Sequence, residues 1–118
     1  MSILSNIVVG LIAVLHIYIL ILEMFLWDKP IGLKVFHQTK ASATASKVLA
    51  ANQGLYNGFL AAGLFWGLSL GSDGYEVKLF FLSCVLVAGL FGGATANRKI
   101  FVIQAIPAAI GLALVLLV

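Results

Sequence analysis

Two ionisable residues, His16 and Glu23, lie inside the first long apolar run of the sequence. They are seven residues apart, about two helical turns, so in a helix their side chains share one face. Ionisable groups inside apolar helices are costly and by default indicate function. Glu23 is interpreted as a proton acceptor, cation site or ligand anchor, or else as a carboxylate that locks helix packing. For His16 the alternatives are a haem or metal ligand, a proton relay, or a neutral ring hydrogen-bonded to a neighbouring helix.

The second apolar run carries four polar residues within six positions. Two pairs, Asn52 with Tyr56 and Gln53 with Asn57, are each spaced four residues apart, so we expect them on one broad helix face. A single amide is explained by hydrogen bonding between helices, which contributes about 0.6 to 2 kcal/mol in membranes. Four such residues on one face favour a ligand-binding or proton-coupling site, to which the fourth apolar run adds Gln104.

Standard catalytic signatures are absent from the sequence, which contains no HExxH, CxxC or GxSxG motif and no phosphate-binding loop. With two histidines and one cysteine, a closed structural zinc site cannot be assembled, so no metal site is predicted. No cofactor is assigned, and whether the protein is an enzyme stays open.

The composition indicates the class of protein. Of the 118 residues, 63% are hydrophobic and 9% are charged, whereas a soluble domain carries roughly 25% charged residues. A water-soluble fold is therefore excluded, and helices within a lipid bilayer best satisfy the backbone of so apolar a chain. The net charge of +3 arises from basic residues between apolar runs, in no stripe that could follow nucleic-acid phosphates. The expected partner is the bilayer, not nucleic acid.

Four apolar stretches approach or exceed the about 20 residues that a membrane-spanning helix needs. They cover residues 3–27, 48–70, 77–96 and 100–118. The first has the clearest end, because an interfacial aromatic, two charges and a proline coincide at Trp27, Asp28, Lys29 and Pro30. The sequence predicts an all-α, integral membrane four-helix bundle that forms a single domain.

The basic residues predict the orientation, because cytoplasmic loops carry an excess of Lys and Arg. Six of the seven basic residues belong to the first and third loops, namely Lys29, Lys34, Lys40, Lys47, Arg98 and Lys99. Four spans place these two loops on the same side. We therefore expect a multi-pass protein of the cytoplasmic (inner) membrane with both termini outside.

The same topology predicts the depth of the polar residues. With a rise of about 1.5 Å per residue, Glu23, Asn52, Gln53 and Gln104 lie on the cytoplasmic side of their spans, whereas His16 and Asn57 lie near the centre. This distribution favours a polar pocket that opens toward the cytoplasm. It argues against a symmetric water-filled pore.

One segment indicates a family. The run from Ala51 to Gly58 reads Ala-Asn-Gln-Gly-Leu-Tyr-Asn-Gly, with Glu23 and Trp27 before it and Gln104 and Pro107 after it. In these residues the chain resembles the small bacterial integral membrane proteins of domain-of-unknown-function family 1304. The resemblance spans essentially the whole chain, and it implies four membrane helices but no particular activity.

Three functions are consistent with these residues. The first is a membrane protein that binds a small molecule or ion, including a proton-coupled transporter with Glu23 as the titrating group. Because four helices enclose little volume, we then expect a homo-oligomer. The second is a compact membrane enzyme that acts on a lipophilic substrate, with Glu23 or His16 as general acid or base. The third is an accessory subunit without chemistry, in which the polar groups fix assembly.

Overall fold

The computed structural model describes residues 3–117, and over this range the chain is all-helical with no strand, which confirms the predicted all-α class. The helices are α1 (Ile3–Met24), α2 (Pro30–Val35), α3 (Lys40–Ser69), α4 (Tyr75–Thr95) and α5 (Ile106–Leu116). A 3-10 turn, Gly71–Gly74, precedes α4, and a π-helical turn, Phe101–Ala105, precedes α5. The predicted fourth span ends at Val118, which lies outside the described residues.

Two helical stretches between residues 3 and 117 are long and apolar enough to cross a membrane, namely Ile3–Met24 and Gly71–Thr95. Helix α3 is longer, at 30 residues, but polar and small residues interrupt its apolar character. The apolar stretch Phe101–Leu116 is shorter than a typical span. The four-span arrangement therefore stays a prediction.

Local hydrogen bonds define the ends of α2 and the beginning of α3. The amide of Gln38 donates to the carbonyl of Leu33, and His37 adopts a φ of 53°, which is the helix-terminating motif that usually has glycine at the left-handed position. The Thr39 hydroxyl then accepts a hydrogen bond from the amide of Ser42 at 3.1 Å and so caps α3. Helix α3 therefore begins at Lys40, well before the start of the predicted second span.

Pro107 explains the π-helical turn. Proline has no amide hydrogen, so the carbonyl four residues earlier, that of Ile103, loses its usual helical donor. The preceding turn widens, and the amide of Ile106 bonds to the carbonyl of Phe101. Turns of this kind occur mostly inside longer helices and are frequent at functional sites.

The chain divides into two compact units, of which the first is Val14–Ala61. In this unit the end of α1 packs closely on α3. A Cβ atom on Gly54 would lie 2.6 Å from Cγ of Met24, and one on Gly58 would lie 2.7 Å from Cδ1 of Leu20. Glycine at these two positions lets the helices approach, as small residues do in membrane helix pairs.

The second unit combines the residues up to Ala13 with those from Ala62 onward. Its core contains Leu82, Val85, Ala108 and Val115, all fully buried. Helix α4 approaches the turn before α5 so closely that a Cβ on Gly89 would lie 2.6 Å from the backbone nitrogen of Ala105.

Candidate functional site

A buried carboxyl–amide pair lies at the end of α1. Oε1 of Glu23 accepts a hydrogen bond of 2.6 Å from Nδ2 of Asn57 on α3. Glu23 is 3% exposed and Asn57 is 8% exposed. Gly54, one turn before Asn57, makes room for this contact, because a Cβ there would lie 3.1 Å from Cβ of Glu23. The close packing of the two helices therefore brings the pair together.

The charge of Glu23 is not balanced by a basic side chain. Within residues 3–117, the side chain of Glu23 forms its hydrogen bond with Asn57. The ion pairs in this range join Lys40 and Lys47 to Asp28 and do not involve Glu23. An unpaired ionic group in an apolar interior is strongly unfavourable. A proton or a small cation bound at this carboxyl group would supply the missing charge.

Three of the predicted site residues do not surround the carboxyl group. Asn52, Gln53 and Tyr56 are exposed on α3, and Nδ2 of Asn52 lies 3.3 Å from the hydroxyl of Tyr56, to which it donates. A helix with 3.6 residues per turn spreads positions 52 to 57 over too wide an arc for one buried face. Packing against α1 therefore selects Asn57 and leaves the other three on the surface.

His16 and Gln104 occupy different environments. His16 is fully buried in α1, whereas Gln104 is half-buried within the π-helical turn. In the part of the chain that the structure describes, no group of three or more His, Cys, Asp or Glu side chains could hold a metal ion. A ligand role for His16, Gln104 and the exposed α3 residues stays a prediction.

Ion pairs and hydrogen bonds join the loop after α1 to the first turns of α3, and the sequence did not predict them. Nζ of Lys47 lies 3.1 Å from Oδ2 of Asp28, and Nζ of Lys40 lies 4.0 Å from the same oxygen. Lys40 also donates to the backbone carbonyl of Asp28 at 2.8 Å, and Nε1 of Trp27 donates to the hydroxyl of Ser46 at 3.1 Å. The hydrogen bond from Lys47 holds the pKa of Asp28 below its ordinary value.

A second buried polar contact lies in the other unit and was also missed. Lys78 of α4 is fully buried, and its Nζ donates to Oδ1 of Asn6 at 3.1 Å. Its side chain passes over Gly67, where a Cβ would lie 2.7 Å from Cγ of the lysine. The sequence indicates this burial by periodicity, because Lys78 precedes the buried Leu82 and Val85 by four and seven residues.

Within residues 3–117 these features define an all-helical protein with two helices apolar enough to span a membrane. The chain belongs to the family described as Protein of unknown function (DUF1304), whose model matches residues 10–116, and this confirms the resemblance found in the sequence. Over 106 residues it is 33% identical to the Uncharacterized protein YpaA of Lactococcus lactis subsp. lactis, an alignment that covers 88% of this chain and 89% of that protein. No solved structure matches the chain.

Proposed function

We propose that this is a multi-pass membrane protein. The support is that ionisable side chains are buried while large apolar side chains are exposed, the reverse of the distribution in a soluble protein. Glu23, His16 and Lys78 are at most 3% exposed, whereas Leu11 and Phe91 are 64% and 69% exposed. Apolar residues cover much of the rest of the described surface as well. Large contiguous apolar patches are rare on soluble monomers, but lipid is a suitable solvent for such a surface.

The orientation is tested by cysteine labelling. In a Cys84→Ala background, single cysteines are introduced in the three proposed loops as Gln38→Cys, Ser72→Cys and Asn97→Cys. With both termini outside, a membrane-impermeant maleimide should label the second loop, at position 72, in intact cells. The first and third loops, which carry the excess of Lys and Arg, should react only after lysis. Labelling of all three loops in intact cells would contradict the topology.

Within this membrane protein, Glu23 is the proton-binding group of a proton-coupled transporter for a small molecule or ion. The observation that carries this proposal is the buried contact between Glu23 and Asn57. An amide offers both hydrogen-bond donors and an acceptor, so Asn57 can pair with the carboxylate through its NH₂ group and with the protonated acid through its oxygen. Such a partner suits a carboxyl group that changes its charge during a cycle.

The transported ligand requires further polar groups, and Gln53 and Tyr56 of the same unit are our candidates. Gln53 and Tyr56 are exposed on α3, in a helix that we place in the membrane. Polar side chains in lipid are unfavourable unless a partner covers them. A second copy of the chain would cover Gln53 and enlarge the site, which supports a homo-oligomer.

An untargeted uptake assay tests the coupling. Proteoliposomes with an imposed pH gradient are incubated with a bacterial metabolite extract, and the retained compounds are identified by mass spectrometry. We expect at least one compound to accumulate with the wild-type protein but not with Glu23→Gln. The matched control is Glu76→Gln, which removes an exposed carboxylate and should transport normally. Equal accumulation by Glu23→Gln and the wild type would overturn the coupling role.

A further inference from the structure

The positive charge of the protein is concentrated in the segment of residues 24–61. Residues 24–61 contain four lysines and a single acidic residue, Asp28. In the rest of the sequence three basic residues balance three acidic ones, so the whole formal net charge of +3 belongs to this segment. A local excess of positive charge beside a membrane helix is typical of sites that attract anionic lipid.

Two of these lysines converge on one point. The Nζ atoms of Lys47 and Lys40 lie 3.1 Å and 4.0 Å from the same oxygen of Asp28. Their side chains are still 53% and 66% exposed, so both ammonium groups are accessible to a second anion. One carboxylate cannot neutralise two cations, and the residual charge favours a phosphate group at this position.

An open, mostly apolar groove follows the two lysines along α3. Its lining includes Met24 of α1 and, from α3, Ala45, Val48, Leu49, Asn52 and Leu55. Asn52 lies five residues beyond Lys47, about 7.5 Å along the helix, and Leu55 lies eight residues beyond it, about 12 Å. The apolar lining begins at Ala45, near Lys47, contains Asn52 among its apolar residues, and extends along α3 to Leu55.

We propose that this surface binds one anionic phospholipid. The phosphate contacts Lys40 and Lys47, the amide of Asn52 donates to an ester carbonyl of the glycerol backbone, and an acyl chain lies in the groove beside Leu49 and Leu55. The two lysines lie near the loop end of an apolar groove, as the phosphate of a phospholipid lies at one end of its acyl chains. Free phosphate would use the lysines but leave the groove empty. The assignment rests on the membrane placement proposed above and is independent of proton binding by Glu23.

Native mass spectrometry of the detergent-purified full chain tests the site, with equimolar phosphatidylglycerol and phosphatidylcholine as probes. The wild-type protein should retain phosphatidylglycerol preferentially. In the double variant Lys40→Gln/Lys47→Gln, the preference for phosphatidylglycerol over phosphatidylcholine should fall about fivefold for each lysine removed. The double variant Arg98→Gln/Lys99→Gln removes the same charge from another loop and should keep the preference. Equal loss in both double variants, or no preference in the wild type, would overturn the proposal.

Two further measurements separate the remaining explanations. Ala45→Trp should fill the groove and reduce phosphatidylglycerol retention, while leaving both lysines in place. Excess inorganic phosphate should not displace the lipid, and displacement would identify a phosphate site instead of a lipid site. Thermal unfolding of each variant controls for loss of fold. A chain that purifies without detergent would contradict the membrane placement itself, whereas a detergent-requiring chain with no lipid preference would contradict the lipid site alone.

Discussion

Nζ of Lys78 donates a hydrogen bond of 3.1 Å to Oδ1 of Asn6, and the lysine is fully buried. Within the described residues no ion pair involves this ammonium group. A buried cation that depends on one amide is sensitive to loss of that amide. It is much less sensitive to its own replacement by an apolar side chain of similar length.

Asn6→Leu should therefore lower the free energy of unfolding by about 1–3 kcal/mol, because it leaves the ammonium without its acceptor. Lys78→Met should have a smaller effect, because it removes the buried charge and keeps most of the packing over Gly67. Denaturation by SDS in mixed micelles measures both values. If Lys78→Met proved the more harmful change, the buried ammonium group would stabilise the fold and the expectation that its removal is tolerated would be wrong.

Asn57→Leu should lower the free energy of unfolding by about 1–3 kcal/mol, because the carboxyl group of Glu23 loses its donor in a buried site. Asn52→Leu is the matched control on the exposed side of α3 and should change stability by less than about 0.5 kcal/mol. The same SDS titration compares the two variants. Equal effects of both substitutions would show that the buried hydrogen bond contributes nothing specific.

Gly54→Ala should destabilise the unit Val14–Ala61 by about 1–3 kcal/mol, because its Cβ would lie 2.6 Å from Met24 and force the helices apart. Gly10→Ala is the control in α1, where the nearest contact of the new Cβ, to Leu68, is an ordinary 3.8 Å. This control should be neutral or stabilising by up to about 1 kcal/mol, since alanine favours the helix. Thermal unfolding followed by circular dichroism distinguishes the two outcomes.

The contact between Asp28 and Lys47 should weaken in acid. The pKa of Asp28 in the folded protein is lowered from 3.8, chiefly by the hydrogen bond from Lys47. The contact therefore stabilises the folded state fully above the unfolded pKa, and this stabilisation is lost as the pH falls through the lowered folded value. Fluorescence of Trp27 in a Trp66→Phe background, recorded from about pH 6 to about pH 2, should report the opening.

Lys47→Gln provides the control for this pH dependence. Without the ammonium group, the pKa of Asp28 should return toward its ordinary value, and the fluorescence transition should move to higher pH. An unchanged transition in Lys47→Gln would show that another group causes it.

Helical class and family could be predicted from the sequence, because composition and the Asn-Gln-Gly-Leu-Tyr-Asn-Gly segment depend on no tertiary contact. The hydrogen-bond partner of Glu23 could not be predicted in this way. The four polar residues between positions 52 and 57 include three amides. Asn57 is the one that pairs with Glu23, because the glycines at 54 and 58 allow its side of α3 to pack against α1. Helical spacing alone does not fix which side of α3 faces α1.

The spacing from Leu82 and Val85 indicates the burial of Lys78, but the hydrogen-bond partner of this lysine could not be predicted. Its environment is created by Asn6 and Gly67, which are distant from it in the sequence. Similarly, the wide turn around Gln104 follows from Pro107, but proline alone does not distinguish a π-helical turn from a kink.

Infrared spectroscopy of the carboxyl group of Glu23 tests proton binding most directly. In the reconstituted wild-type protein, a pH titration should reveal a C=O stretching band of a protonated carboxylic acid that Glu76→Gln retains and Glu23→Gln lacks. Asn57→Leu should shift the frequency of this band, because it removes the hydrogen bond to Oε1. Identical titrations of the wild type and Glu23→Gln would contradict the role of Glu23 as the proton-binding group.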